Sequence, residues 1–315
     1  MMNIRKAAVI GCGFVGSSIA FALMEKRIFS EIVLLDINRE KAEGEAMDLS
    51  HGLPYTGSMM EIYAGTYDDI TDCSMIIITA GANQKPDETR IDLIDKNVGI
   101  MNGVISEITK RSCEGILLIV SNPVDVLTYA ALKMSGFPPE RVIGSGTVLD
   151  TARLKYLLSQ ELKVDARSVH AVIIGEHGDS ELAVWSGANI SGIDLDHFYE
   201  FMGHKDYTER MEKIYTDVRD SAYDIIERKG ATYYGIAMAV GRIAECIIRD
   251  EHSVLPVSVM LDGEYGLRGL SLSVPSIVGK DGVERVLNIP MNGREIEQLE
   301  KSAAQMKQVI SHIGL

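Results

Sequence analysis

Residues 7–16 read Ala7-Ala8-Val9-Ile10-Gly11-Cys12-Gly13-Phe14-Val15-Gly16, and a helical run, Ser17 to Met24, follows directly. An apolar strand that ends in a GxGxxG turn and opens a helix is the layout of a dinucleotide-binding unit. Glycine is needed there because the backbone must approach a pyrophosphate closely, at the positive end of a helix. Gly11, Gly13 and Gly16 are therefore candidate cofactor residues. The next strand, Glu31–Leu35, ends at Asp36, at the spacing of about 20 residues where such units carry an acid. A carboxylate there can accept from both ribose hydroxyls and would repel a 2'-phosphate, which favours NAD over NADP. A glycine turn with a strand-end Asp is the bland alternative. Strand, turn, helix and acid in this order weigh against it.

Outward from that unit, Met75–Thr79, Leu117–Val120 and, more weakly, Val142–Ile143 are apolar throughout, as parallel strands covered on both faces are. Helical patterns separate most of them. The expected fold is α/β: a Rossmann-type doubly wound parallel sheet followed by an α+β substrate domain. The pattern changes near Gly144, so residues 1–144 are expected to form the NAD-binding domain and 145–315 the catalytic domain. In the second half, helices are expected from about Asp150, over Thr208–Arg228, Thr232–Arg249 and Arg294–Ile313. Strands are expected at Val169–Ile174, Val254–Leu261 and Leu270–Val278. No linker separates the halves, so intimately packed domains are expected.

The 315 residues are 46% hydrophobic, and 31 Lys+Arg stand against 45 Asp+Glu for a net charge of -14. That excess of negative charge disfavours nucleic acid as a partner and favours solubility over membrane-surface binding. No apolar run reaches the roughly 18–20 residues of a membrane span. The N-terminus runs straight into a strand-like stretch, so no signal peptide is expected. Cys12, Cys73, Cys113 and Cys246 form no CxxC pair and no metal-ligand spacing. They are expected to be reduced thiols of a cytoplasmic enzyme without a metal.

Gly175-Glu176-His177-Gly178-Asp179 follows the strand ending at Ile174. Oxidising an alcohol by hydride loss requires removal of its hydroxyl proton, and imidazole titrates near neutrality. Taken alone, one histidine among seven reads more readily as a structural residue. Asp150-Thr151-Ala152-Arg153 opens a helix, so Asp150 and Arg153 share a face. An Asp beside a histidine fixes its tautomer and stabilises the imidazolium, and an Arg binds a carboxylate with a planar fork. A local ion pair is the alternative. Residues 79–90, Thr79 to Arg90, read as a polar loop after a buried strand, either a lid or a plain solvated loop. An Arg carried on a lid could polarise a substrate carbonyl after water is expelled. Asn122, in Ser121-Asn122-Pro123, could hydrogen-bond a carbonyl or a ribose hydroxyl, or be a turn residue before Pro.

Seven ordered stretches, GCGFVGSS, MDLSHG, TAGANQKPDETR, SNPVDVLTY, GSGTVLDTAR, GEHGDSE and KGATYYGIA, together resemble the L-lactate/malate dehydrogenase family, and its bacterial lactate-type members in particular. The resemblance runs over nearly the whole chain. It implies reversible hydride transfer between NADH and pyruvate, giving L-lactate and NAD+, as in fermentative carbohydrate metabolism. It also implies His177 as proton donor and acceptor, Asp150 orienting it, Arg153 on the substrate carboxylate and Arg90 on the carbonyl. Asn122 would contact substrate and nicotinamide, Thr232 would line the pocket, and Ile236 would pack on the nicotinamide. Val15, Asp36, Lys41, Tyr67, Gly81, Ala82, Val120 and Ser145 match family cofactor contacts.

Lactate- and malate-type members differ at the loop position held here by Gln84; malate types carry Arg. A neutral amide would leave a second substrate carboxylate poorly compensated in a closed pocket, which disfavours oxaloacetate by several kcal/mol. A bulkier 2-keto acid or malate stands as the alternative substrate. Two positions depart from the pattern. Asp87 replaces the usual loop Gly. Lys155 replaces the Arg of members activated by fructose 1,6-bisphosphate, while the matching His170 is present. The family also implies a homotetramer.

Overall fold

The computed structural model describes residues 2–82, 89–204 and 206–315. Gln84 and Asp87 lie outside the described residues, as does the Arg90 side chain.

The first half runs β1 (Asn3–Ile10), α1 (Phe14–Lys26), β2 (Glu31–Leu35), α2 (Arg39–Thr56), β3 (Glu61–Ala64), β4 (Cys73–Ile78), α3 (Arg90–Thr109), β5 (Ile116–Ile119), α4 (Val124–Ser135) and β6 (Val142–Gly144). These six strands form a parallel sheet in the order β3-β2-β1-β4-β5-β6. Their all-apolar sequences are explained by burial on both faces. Every residue of β4 and β5 is buried, and helices cover the sheet on either side. The helices start where side chains satisfy the first amides. Asn38 caps α2, and Thr89 with Asp92 forms a capping box on α3.

The second half continues with α5 (Val148–Leu162), β7 (Val169–His170), β8 (Ile173–Ile174), β9 (Leu182–Ala183), β10 (Asn189–Ile190), β11 (Ile193–Asp194), α6 (Leu195–Phe201), α7 (Tyr207–Lys229), α8 (Tyr234–Ile248), β12 (Ser253–Asp262), β13 (Arg268–Gly279), β14 (Gly282–Val286) and α9 (Gly293–Ile313). Strand β12 pairs antiparallel with β6 through Ser258 and Gly144, so β12, β13 and β14 extend the first sheet to nine strands. One core cluster includes both Ile19 of α1 and Leu299 of α9. The halves share a sheet and a core, as the lack of a linker suggests.

Three expectations need correction. Val169–Ile174 is two strands, not one. β7 joins a three-stranded sheet with β10 and β11, whereas β8 pairs with β9. The chain turns between them because the Ile173 amide is taken by the Thr151 hydroxyl at 2.9 Å. The helix expected from about Thr232 begins at Tyr234. β3 and β14 were not anticipated. Both are edge strands in which polar, exposed positions break the apolar run.

The sheet order reverses between β1 and β4, and the carboxyl ends of these strands flank a crevice of the kind where doubly wound sheets bind ligands. Gly11, at φ +101°, sits at that point, and a Cβ on it would lie 2.7 Å from the Ala80 amide nitrogen. A Cβ on Gly16 would lie 1.8 Å from the Gly11 carbonyl oxygen. No other residue type lets the turn and β4 close this tightly.

Candidate active site

The glycine turn is held open for a ligand. Gly13 precedes α1 without a side-chain cap, so the helix begins with amides that no side chain satisfies. A Cβ at Gly13 would meet nothing within 4 Å, which marks free space over the turn. Asp36 stands at the end of β2. Its carboxylate accepts from the Cys12 amide at 2.7 Å and the Asn38 amide at 2.9 Å, which fixes it beside the turn. An uncapped helix end for a pyrophosphate and an anchored carboxylate for a ribose fit a dinucleotide.

The remaining cofactor candidates lie just beyond the carboxyl ends of strands or in the first turns of helices. Val15 lies in the first turn of α1 and Lys41 in that of α2. Tyr67 follows β3, half-buried, with the Arg111 guanidinium over its ring at 5.7 Å. Gly81 and Ala82 follow β4, Val120 follows β5 and Ser145 follows β6. Thr232 precedes α8 and Ile236 lies in its first turn. Phe14 of the glycine turn stacks on Tyr233, centroids 5.4 Å apart, which brings the Thr232–Ile236 stretch beside the turn.

The histidine loop is pinned by three elements. Gly175, at φ +94°, exchanges both backbone hydrogen bonds with Ser273 of β13, at 2.9 and 3.0 Å. The Glu176 amide donates to the Ser302 hydroxyl of α9 at 2.8 Å. The His177 amide donates to Asp125 of α4 at 2.7 Å. Asp125 is buried and also accepts from the Ser273 hydroxyl at 3.2 Å. Because Asp125 stands one residue into the helix that follows Asn122-Pro123, the histidine loop and Asn122 are tied together.

The side chains then converge. Nδ1 of His177 lies 2.6 Å from the Asp150 carboxylate, whose other oxygen accepts from Arg153 at 2.8 Å. Asp150 is 2% exposed, whereas the His177 side chain keeps 25% of its surface open. Nε2 is therefore the nitrogen that can meet a substrate, and it has no hydrogen bond among the described residues. Burial alone would push the imidazolium down. Asp150, by charge and hydrogen bond, more than offsets this, and His177 is raised to about 9. Burial likewise opposes ionisation of Asp150, yet His177 and Arg153 hold it below the ordinary carboxylate range. The result is a proton donor with an anionic partner, beside a guanidinium suited to a carboxylate.

Three residues that sequence reasoning passed over complete the frame. Asn97 is buried on α3, accepts from the Ala82 amide at 2.8 Å and donates to the Asn122 carbonyl at 2.8 Å. Asp125 holds the histidine loop, and burial pushes its carboxyl up to about 6. Glu181 lies against the His177–Asp150 pair. Asp125 and Glu181 stand inside the quoted stretches SNPVDVLTY and GEHGDSE, but nothing in their types reveals burial.

Family models for the two halves match in order. The lactate/malate dehydrogenase NAD binding domain covers residues 5–144, and the lactate/malate dehydrogenase alpha/beta C-terminal domain covers 147–314. The chain belongs to the lactate/malate dehydrogenase family. It is 53% identical over 312 residues to an L-lactate dehydrogenase of Acetivibrio thermocellus, covering 99% of this chain and 98% of that one. It is 50% identical over 313 residues to L-lactate dehydrogenase 1 of Clostridium acetobutylicum, covering 99% of this chain and 100% of the relative. A crystal structure of a lactate dehydrogenase from a Medee basin deep-sea metagenome library superposes with a TM-score of 0.97 at 46% identity, over 100% of both chains. As a member of this family, the protein is an NAD-dependent oxidoreductase.

Proposed function

We propose that the protein is an L-lactate dehydrogenase, reducing pyruvate to L-lactate with NADH and running the reverse reaction with NAD+. The observation that carries the reading is the Arg153–Asp150–His177 chain, with contacts of 2.8 and 2.6 Å, in a family whose similar full-length relatives are L-lactate dehydrogenases. NADH supplies the hydride.

Each residue's part follows from its chemistry. His177, charged below about 9, donates its Nε2 proton to the carbonyl oxygen as the alcohol forms, and in oxidation the neutral ring takes that proton back. Asp150 keeps Nδ1 protonated and stabilises the charged ring. Arg153 clamps the substrate carboxylate and so orients the keto carbon. Arg90 polarises the carbonyl, Asn122 contacts substrate and nicotinamide, Thr232 lines the pocket and Ile236 packs on the nicotinamide. The glycine turn of Gly11, Gly13 and Gly16 takes the pyrophosphate, and Asp36 takes the ribose. Val15, Lys41, Tyr67, Gly81, Ala82, Val120 and Ser145 line the rest of the crevice. Gln84 supplies an amide where a second cation would be needed for a dicarboxylate.

A cytoplasmic, fermentative role fits four buried, unbridged cysteines and an NADH-linked reaction. A homotetramer would cover the apolar surface of Phe21 on α1 and Tyr234 and Met238 on α8, which are 54%, 66% and 59% exposed. Fructose 1,6-bisphosphate would meet Lys155, half-buried on α5, and His170, exposed on β7. Burial pushes the Lys155 ammonium down, and an arriving phosphate would favour its charged form.

One assay tests the set. NADH oxidation is followed with pyruvate, oxaloacetate and 2-ketoisocaproate in parallel, each with and without fructose 1,6-bisphosphate. Pyruvate should have the highest kcat/KM, and the bisphosphate should lower its half-saturating concentration. Faster turnover of oxaloacetate or 2-ketoisocaproate would overturn the substrate assignment, and an unmoved half-saturation would remove the activator.

A further inference from the structure

The histidine has a second carboxylate beside it. Oxygen atoms of Asp150 and Glu181 and a ring nitrogen of His177 all lie within 4.8 Å of one another. Glu181 is 5% exposed, and its Oε1 is buried with no hydrogen-bond partner among the described residues. Its backbone is fixed. The amide donates to the Gly178 carbonyl at 3.1 Å, the carbonyl accepts from the Tyr215 hydroxyl, and the next residue enters β9 opposite Ile174. The Cα from which the side chain springs is therefore held beside the histidine loop.

We propose that Glu181 is a positioning residue whose charge sets how tightly His177 holds its proton. The proposal rests on the reading of His177 as the proton donor and acceptor. A buried carboxylate lacking a partner is costly in its charged form, so it holds its proton at neutral pH. Burial first, and Asp150 second, push Glu181 up to about 8. The groups facing the pair are Asp150 and Arg153 from α5, Asp125 from α4, and Tyr215 and Arg219 from α7, while Glu176 of the loop faces Asp125. Arg219 also pairs with Asp220 at 2.9 Å, so its charge is already shared.

The consequence lies on the alkaline side. When Glu181 ionises, a new negative charge appears next to the imidazolium, and His177 gives up its proton at higher pH than Asp150 alone would permit. The two titrations are linked, and the proton-donating state is extended.

The test uses cofactor-free protein. Diethyl pyrocarbonate attacks a histidine only in its neutral form; the reaction is followed by the absorbance of N-carbethoxyimidazole, and subtracting the rate of His177→Asn isolates His177. In Glu181→Gln the midpoint of that pH profile should fall by about one unit. Glu181→Asp, which keeps the charge, should restore most of the shift. An unchanged or higher midpoint in Glu181→Gln would overturn the proposal. A second measurement needs no variant. The wild-type infrared spectrum should contain a protonated carboxylic acid band at pH 7 that disappears by pH 9.5; its absence at pH 7 would overturn the proposal equally. Neither experiment uses substrate, so a protein inactive on pyruvate would sink the reading of the reaction and leave these comparisons standing.

Discussion

Replacing His177 by Asn should lower pyruvate reduction by about three orders of magnitude while NADH binding stays at the wild-type level. The asymmetry follows from how the site is built. The histidine loop is held by backbone contacts to Ser273, Ser302 and Asp125, none of which involves the ring. An amide side chain can still donate to Asp150, so the loop and the buried carboxylate keep their arrangement. The lost component is a proton that can move at neutral pH. The glycine turn and Asp36 lie at the far ends of β1 and β2 and do not depend on the ring. Stopped-flow kinetics with a parallel NADH fluorescence titration check both halves. A variant retaining more than about a tenth of the wild-type rate would contradict the role given to His177.

Replacing Arg153 by Gln should cost about 3–5 kcal/mol in kcat/KM for pyruvate, a loss of roughly 150- to 4,000-fold, with most of the effect in KM. The Arg153 side chain is 14% exposed, so its attraction for a carboxylate is weakly screened by water. Gln has neither the charge nor the fork. The substitution also removes the hydrogen bond to Asp150 at 2.8 Å, leaving that carboxylate to His177 alone. Steady-state kinetics over a wide pyruvate range separate KM from kcat. A variant with unchanged KM would place the substrate carboxylate elsewhere.

The part of this molecule most legible in its sequence is the part whose chemistry depends on residue type. Gly11, Gly16 and Asp36 could be read because backbone approach and ribose recognition admit few alternatives, and the structure places the glycines at the switch between β1 and β4 and Asp36 at the end of the neighbouring β2. The all-apolar strands were legible because two covered faces leave no polar position. Edge strands β3 and β14 were not, since exposed and partly exposed positions interrupt their apolar runs. Asp150 and Arg153 were legible as a pair because three residues of helix put them on one face, and their hydrogen bond bears this out. Asn97, Asp125 and Glu181 escaped notice for the opposite reason. Their importance comes from burial and from partners 15 and 52 residues away for Asn97 and Asp125, and from contact with a pair assembled across the fold for Glu181.

The most direct measurement is the pH dependence of kcat/KM for pyruvate reduction. The charged imidazole is the active form, and Asp150, with smaller contributions from Glu181 and Asp125, raises His177 to about 9, so kcat/KM should be level through neutrality and fall as pH rises through that value. A fall centred near 6.5, the value of an imidazole without an anionic partner, or a profile flat past pH 10, would mean that the His177–Asp150 pair does not supply the proton.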